Sequence, residues 1–238
     1  MNRPHKFAPG EYYHIYNRGT DKREIFLDIH DYHRFIILLY LCNNSEALDL
    51  QKLFREGRSF TELFEIENNN PLVAIGAWVI MPNHFHILIR EKTAGGISSF
   101  LHKLKTSYCS YFNKKYDRKG SLFETTFKAE HANTDNYLKY LFSYIHLNPV
   151  KLIDPAWKEN GIRDFNDSYK FLQNYEYSSY LDYLGVDRIQ GKIIDKVALP
   201  GYFKDKDAVE TEIFDWLTYK KRMIEEKEDL IKKRGTKM

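Results

Sequence analysis

The stretch Ala74–Arg90, AIGAWVIMPNHFHILIR, decides the fold. Two apolar runs flank the turn-forming pair Pro82-Asn83, which predicts two neighbouring antiparallel strands. The second strand opens with His84-Phe85-His86, and because strand side chains alternate between faces, the two histidines point to the same side. Two imidazoles on one rigid strand form half of a metal site. On its own, the pair is more typical of the polar face of a half-buried strand than of a metal site.

The flanking sequence supplies the other elements of a mixed domain. Apolar residues recur at helical or strand spacing around this central pair, with Thr134 as the expected cap of the last helix. The predicted strands are Glu11–Asn17 and Leu122–Thr134, and the predicted helices are Asp28–Leu41, Ile97–Phe112 and Asn136–Asn148. This order predicts an α+β fold in which an antiparallel sheet carries helices on one face.

The remaining segments suggest how the chain is divided. We expect a catalytic domain over residues 1–153, with an insertion of polar, weakly periodic sequence at 43–70. Residues 154–238 differ in composition, being rich in tyrosine and then in mixed charges, and predict a mostly helical C-terminal extension.

The composition excludes several classes of protein. The chain has 238 residues, of which 43% are hydrophobic and 29% charged, as in an ordinary globular protein. Cys42 and Cys109 have no metal or redox spacing, which argues against a disulfide framework or a cysteine zinc site. No apolar run is long enough to cross a membrane, and the first ten residues lack the apolar core of a signal peptide. We therefore expect a cytoplasmic, nucleoid-associated protein without a membrane partner.

The last predicted helix of the first domain carries a candidate nucleophile. Tyr144 and Asn148 lie four residues apart and therefore on one side of the helix. Together with His84 and His86, Asn148 could hold a divalent cation, Mg²⁺ or Mn²⁺, while the Tyr144 phenol attacks a phosphorus atom. Tyr137 and Tyr140 share the flank of Tyr144, so their positions alone do not exclude them as the nucleophile. His14 is a further candidate ligand, although a strand histidine with an ordinary polar partner fits its position better.

The positive charge is concentrated beside the histidine strand. Residues 101–128 contain seven Lys and Arg but only two acids, whereas the whole chain has a net charge of +3. Such a cluster predicts a phosphate-binding surface, and a solvated helix face explains it equally well. The candidate DNA-binding residues are Arg18, Lys103, Lys105, Lys114, Lys115, Arg118, Lys119 and Lys128.

Three strings together resemble a known family. They are YHIYNRG at 13–19, MPNHFH at 81–86 and YIHLNPVK at 144–151. They are similar to the single-tyrosine HUH transposases of insertion-sequence type, and most similar to the REP-associated tyrosine transposases. The resemblance covers about residues 12–151.

The resemblance implies a ferredoxin-like fold of the HUH endonuclease type and a DNA transposase or nuclease activity. It implies cleavage and rejoining of single-stranded, hairpin-containing DNA through a 5′-phosphotyrosine, with a divalent metal. On it, His84 and His86 match the metal pair, Tyr144 the nucleophile and Asn148 the polar ligand. That last position is often glutamine in relatives, so the shorter Asn148 departs from the pattern. The resemblance also allows a homodimer.

Two other functions compete with a transposase. The same fold could bind single-stranded or hairpin nucleic acid through charge and aromatic stacking without using Tyr144. A replication or conjugation endonuclease of the HUH class is a third hypothesis, but such proteins often carry a helicase or a second nucleophilic tyrosine.

Overall fold

A four-stranded antiparallel sheet forms the centre of the molecule. The computed structural model describes residues 7–199, 201, 203 and 205–218. The strands are β1 (Tyr12–Arg18), β2 (Val73–Met81), β3 (His84–Glu91) and β4 (Lys128–His131), in the order β2-β3-β1-β4. All paired neighbours are antiparallel. This is the strand order of a ferredoxin-like sheet, so the predicted α+β fold is confirmed.

The helices connect and cover this sheet. They are α1 (Ile29–Leu41), α2 (Leu50–Arg55), α3 (Phe60–Phe64), α4 (Gly96–Lys115), α5 (Asp135–Leu147), α6 (Trp157–Asn160), α7 (Phe165–Gln173), α8 (Tyr180–Tyr183) and α9, residues 206–218. The Asp28 side chain caps α1 by accepting hydrogen bonds from the His30 and Asp31 amides, and the Thr134 hydroxyl accepts from the Tyr137 amide to cap α5. None of the described helices is long and apolar enough to cross a membrane.

One face of the sheet is covered by α1 and α4, as the sequence predicts. These helices are the two crossovers, from β1 to β2 and from β3 to β4. The buried side chains Phe35, Phe100 and Leu104 of the helices join Phe85 and Ile87 of β3 in one hydrophobic cluster. The segment 43–70 contributes α2 and α3, and Phe64 of α3 is buried in the same cluster.

The opposite face carries a second layer that the sequence did not predict. Leu141, Phe142 and Ile145 of α5 pack on Val79 of β2 and Leu88 of β3. The segment after residue 153 belongs to the same cluster through α7, α8 and α9, together with the buried Trp157. It also covers the outer edge of β2, where the Ile80 amide donates to the Tyr177 carbonyl. The sheet is thus enclosed between two hydrophobic layers.

The fourth strand is shorter than predicted. We expected strand structure over Leu122–Thr134, but only Lys128–His131 pairs regularly with β1. Residues 121–127 pair with the chain at the end of β1 only through an isolated bridge between Gly19 and Phe123, and a side chain satisfies part of their remaining backbone. The carbonyls of Thr125 and Thr126 accept hydrogen bonds from the Asn17 carboxamide. The domain boundary at 153 stays a prediction, and residues 219–238 of the proposed extension lie outside the described residues.

Candidate active site

Strand register gathers polar side chains on the face that carries α5. Tyr16 of β1 is paired with His86 of β3 on one side and with Lys128 of β4 on the other. His14 lies two residues away on β1 and is paired with Glu130 of β4. Since these positions alternate by two along each strand, their side chains project to one face. The site is therefore built on rigid sheet positions.

His86 is held by a chain of polar contacts. Its Nδ1 lies 2.8 Å from Nε2 of His14, and Nδ1 of His14 lies 3.9 Å from Oε2 of Glu130. Because Nδ1 of His14 is the nitrogen nearer the carboxylate, we place the hydrogen of His14 there, and His86 then donates from Nδ1 to His14. The lone pair on Nε2 of His86 is then available to a ligand.

His84 is oriented in the same way. Its Nδ1 lies 2.6 Å from Oδ1 of Asn83, which leaves Nε2 as the available nitrogen. The rings of His84 and His86 stand perpendicular, with 5.1 Å between centroids. Burial lowers the pKa of His84 to about 4, although the Asn148 side chain acts in the opposite direction. Burial, followed by the neighbouring His14 and His84, holds the pKa of His86 well below its usual value. Both imidazoles are therefore neutral at pH 7, as metal ligation requires.

Asn148 ends α5 beside His84 with an unused oxygen. Its side chain is 0% exposed, and its amide nitrogen makes only a long 3.5 Å contact to the Tyr144 carbonyl. Oδ1 of Asn148 is buried without a hydrogen-bond partner. A buried, unpartnered amide oxygen is costly unless a ligand satisfies it.

Tyr144 lies against the histidine pair. Its ring centroid is 5.4 Å from that of His86 and 5.9 Å from that of His14, with near-perpendicular planes. Helix α5 crosses the sheet so that Tyr144, one turn before Asn148, projects into the same cleft. The structure thus brings together all four residues that the sequence singled out for catalysis and metal binding.

The two rival tyrosines are placed differently. The Tyr137 hydroxyl donates to Oε2 of Glu130 at 2.7 Å, which makes Tyr137 a support for the polar chain behind His14. Tyr140 is 37% exposed and packs its ring on Trp216 of α9, 5.2 Å between centroids. Neither ring contacts His84 or His86 among the described aromatic pairs. Proximity therefore favours Tyr144.

His84, His86 and Tyr144 line a cleft of about 300 Å³. Arg18 and Lys128, both predicted to bind DNA, lie at this cleft. Arg18 makes an ion pair with Glu124, 3.0 Å from Nε to Oε1, and the Lys128 ammonium lies 5.8 Å from the Tyr16 ring centroid. Both cations can reach a phosphate bound in the cleft.

The other predicted DNA-binding residues are distributed over α4 and the loop after it. Several of them have internal partners: Lys103 donates to the Asn44 carbonyl at 2.7 Å, and Lys115 contacts Asp28 and Asp31 at 2.7 Å each. Lys105 donates to the Thr125 carbonyl at 2.9 Å, in the loop next to the cleft. Lys114, Arg118 and Lys119 lie at the C-terminal end of α4, where Lys114 and Lys119 are exposed. Their role in DNA binding stays a prediction.

Sequence reasoning missed four contributors to the site. Glu130 and His14 support His86, and His14 had been assigned an ordinary polar partner. His14 and Glu130 are cross-strand neighbours, and this pairing can be recognised only when the register of β1 and β4 is known. Lys151 lines the cleft, and Lys158 places its ammonium 3.8 Å from the centroid of the Tyr144 ring. Lys151 belongs to the YIHLNPVK string, whereas nothing in the sequence pattern marks Lys158.

The donor set fits a divalent cation only if Asn148 takes part. Within the described part of the chain, no three His, Cys, Asp or Glu side chains lie close enough together to hold a metal ion. The two free Nε2 atoms and the unpartnered Oδ1 of Asn148 would supply three protein ligands. Nitrogen ligands suit Mn²⁺ better than Mg²⁺, and three ligands leave positions for water or phosphate oxygens.

The comparisons with known proteins agree with the resemblance in the sequence. Residues 55–148 match the family model described as "Transposase IS200 like", which confirms the resemblance to insertion-sequence transposases. No curated protein matches the chain. A solved structure, "Structure of the REP associates tyrosine transposase bound to a REP hairpin", is 14% identical, with 80% of this chain and 90% of that chain covered. The TM-score between the two structures is 0.46.

Proposed function

We propose, taking the match of residues 55–148 to the IS200-like transposases as the premise, that this chain is a metal-dependent endonuclease and strand transferase. Its substrate is single-stranded, hairpin-containing DNA, and the reaction passes through a 5′-phosphotyrosine. One observation carries the proposal: Tyr144 lies in the same cleft as two neutral histidines and next to a buried, unpartnered amide oxygen.

In the proposed reaction the Tyr144 hydroxyl is the nucleophile. The bond from Tyr144 Oη to phosphorus forms as the bond from phosphorus to the 3′ oxygen breaks, and the proton lost by the phenol ends on the released 3′ hydroxyl by way of solvent. The downstream strand is left attached to the protein by its 5′ phosphate. Attack of a second 3′ hydroxyl on this ester reverses the step and joins two strands without ATP.

His84, His86 and Asn148 would hold the divalent cation of this site. When bound, the cation supplies Lewis-acid polarisation of the phosphoryl oxygens and neutralises their developing charge. The chain itself fixes the ligands through Asn83 and His14 and positions Tyr144 on a helix packed on the sheet. Arg18 and Lys128 would hold flanking phosphates.

Labelled DNA tests this function directly. A hairpin with single-stranded flanks, taken from the DNA beside the gene, is incubated with the protein and Mn²⁺ or Mg²⁺. A label at the 3′ end should become attached to the protein and resist denaturant, whereas a label at the 5′ end should leave on a shorter free fragment. Chelation of the metal should abolish the adduct.

Two matched variants identify the nucleophile. Tyr144→Phe should form no adduct, while Tyr140→Phe, one turn earlier on the same helix, should form it at a rate near that of the wild type. Tight binding of the hairpin without any adduct would instead support the non-catalytic binding protein.

A further inference from the structure

Lys158 and Lys151 form a pair of cations to which the proposed reaction assigns no role. The Lys158 ammonium lies over the face of the Tyr144 ring, 3.8 Å from its centroid, and Lys151 lines the cleft beside Tyr144. Burial lowers the pKa of Lys158 to about 8, and the neighbouring Lys151 side chain acts in the same direction.

This pair has no acidic counterpart. Within the described residues, neither Lys151 nor Lys158 makes an ion pair with an aspartate or glutamate; Glu159, adjacent in the sequence, has only a minor effect on Lys158. By contrast, Arg18 and Lys115 are each paired with carboxylates. Two adjacent, partly buried ammonium groups repel each other unless an anion lies between or beside them.

The backbone around Lys158 is held firmly. Lys158 lies on α6, next to Trp157, whose side chain is buried in the hydrophobic cluster on the α5 face of the sheet. The Trp157 amide donates to the Asp154 carbonyl, and the Asp154 carboxylate accepts from the Arg163 amide at 3.0 Å. A packed anchor of this kind positions a lysine more closely than a surface loop would.

A simpler explanation is that Lys158 only packs on the tyrosine through a cation–π contact. That contact accounts for one lysine, but it does not account for the second unpaired ammonium beside it. It also leaves the cleft, which contains the candidate nucleophile, with an unbalanced positive charge.

We propose that Lys151 and Lys158 bind the DNA phosphate that Tyr144 attacks, so that residues beyond the family match complete the active site. This inference rests on the proposed function, and Lys158 would be a catalytic residue that touches the reacting phosphate. An ammonium group at this place stabilises the charge on the phosphoryl oxygens as the Tyr144 ester forms.

Lysine footprinting tests the contact without requiring catalysis. The full chain is labelled with acetic anhydride, with and without a single-stranded hairpin oligonucleotide and in the absence of metal, and the modified lysines are quantified by mass spectrometry. The oligonucleotide should lower labelling of Lys151 and Lys158 by about fivefold or more. Lys52, exposed on α2, is the internal control and should be unaffected. Equal labelling of Lys158 with and without DNA would overturn the proposal.

Single-turnover kinetics test the catalytic part. Lys158→Gln should slow formation of the Tyr144 adduct by about 10²-fold, as expected for loss of one group that stabilises the transition state, with DNA affinity changed by less than about threefold. Lys158→Arg should recover part of the rate because it keeps the charge, and Lys52→Gln should match the wild type. A rate for Lys158→Gln within about threefold of wild type would also overturn the proposal.

The two assays separate this proposal from the proposed function. Protection of Lys151 and Lys158 without any adduct from the wild type would overturn the endonuclease function and keep the phosphate site as a binding site. An adduct on Tyr144 without protection and without a rate effect would keep the endonuclease and overturn the phosphate site.

Discussion

His86 depends on a residue that does not touch the proposed metal. Nε2 of His14 lies 2.8 Å from Nδ1 of His86, and Glu130 lies 3.9 Å from the other ring nitrogen of His14. With its hydrogen on Nδ1, His14 fixes both the tautomer and the ring orientation of His86. Partners of this kind raise the basicity of a ligand and reduce the freedom it must lose on binding. His14 therefore serves to orient His86 for metal binding.

Removing His14 should weaken metal binding more than the chemical step. In His14→Ala, we expect the Mn²⁺ concentration for half-maximal adduct formation to rise by about tenfold or more, with the rate at saturating Mn²⁺ reduced much less. The measurement is the adduct rate as a function of Mn²⁺ concentration. His131→Ala, at a half-buried histidine of β4 paired with Glu11, is the control. An unchanged half-maximal concentration in His14→Ala would refute the support role.

At the scale of elements, α1 and α4 are joined by a buried carboxylate. Asp31 is 0% exposed and accepts from the Tyr111 hydroxyl at 2.9 Å, the Tyr116 hydroxyl at 2.8 Å and the Leu27 amide at 2.8 Å. Lys115 supplies the balancing charge at 2.7 Å. This network locks the C-terminal end of α4 against the start of α1.

The neighbouring lysines 114 and 115 should therefore behave differently. Lys115→Ala leaves a buried carboxylate without its counter-charge, and we expect the free energy of unfolding to fall by about 1–2 kcal/mol, since three other donors remain. Lys114→Ala, at an exposed position, should change it by less than about 0.5 kcal/mol. Urea denaturation of both variants measures this. Equal stabilities would show that the Lys115 network contributes little to folding.

The sequence predicted the elements whose patterns are strong and local. Helices α1, α4 and α5 have regular apolar stripes, and the cap Thr134 lies where expected. The sequence could not show that Lys103 and Lys115 have internal partners whereas Arg18 and Lys128 lie at the cleft. A pattern of charges does not reveal which lysine forms an internal contact.

Strand β2 shows a different limit. Its continuous apolar run hides a register shift at Gly76, where the outward carbonyl accepts from the Tyr183 hydroxyl. The shift puts Ile75 and Trp78 on the same face, in the hydrophobic cluster under α1 and α4. No alternation in the sequence marks a strand buried on both faces, so the second layer remained hidden. Lys158 is positioned by the same layer, so its place beside Tyr144 could not be predicted either.

At the scale of the whole molecule, the layer formed by α5 and the segment after residue 153 contains a buried histidine outside the proposed metal site. His146 is 0% exposed, with Nε2 at 2.8 Å from the Ser179 hydroxyl that ties residues 178–179 to β2. Burial lowers the pKa of His146 to about 3. The histidine thus stays neutral in the folded protein at pH values where the unfolded chain binds a proton.

Acid should weaken the fold through this residue. Below the ordinary histidine pKa of 6.5 the unfolded state gains a proton that folded His146 does not take up until about pH 3. Stability is therefore fully present above about pH 6.5 and falls as the pH decreases. We expect His146→Gln to reduce the loss in unfolding free energy between pH 7 and pH 5 by about 2 kcal/mol. Denaturant titrations at both pH values measure the loss, with exposed His102→Gln as the control; an equal loss in wild type and His146→Gln would contradict this role.

The central claim is that Tyr144 is the residue that becomes joined to DNA. The most direct measurement is to form the adduct with a hairpin substrate and Mn²⁺, digest the protein with protease and the DNA with nuclease, and locate the remaining nucleotide by mass spectrometry. We predict a nucleotide esterified through its 5′ phosphate to Tyr144. A nucleotide on Tyr137 or Tyr140, or no modified tyrosine under conditions in which the hairpin is bound, would contradict the account.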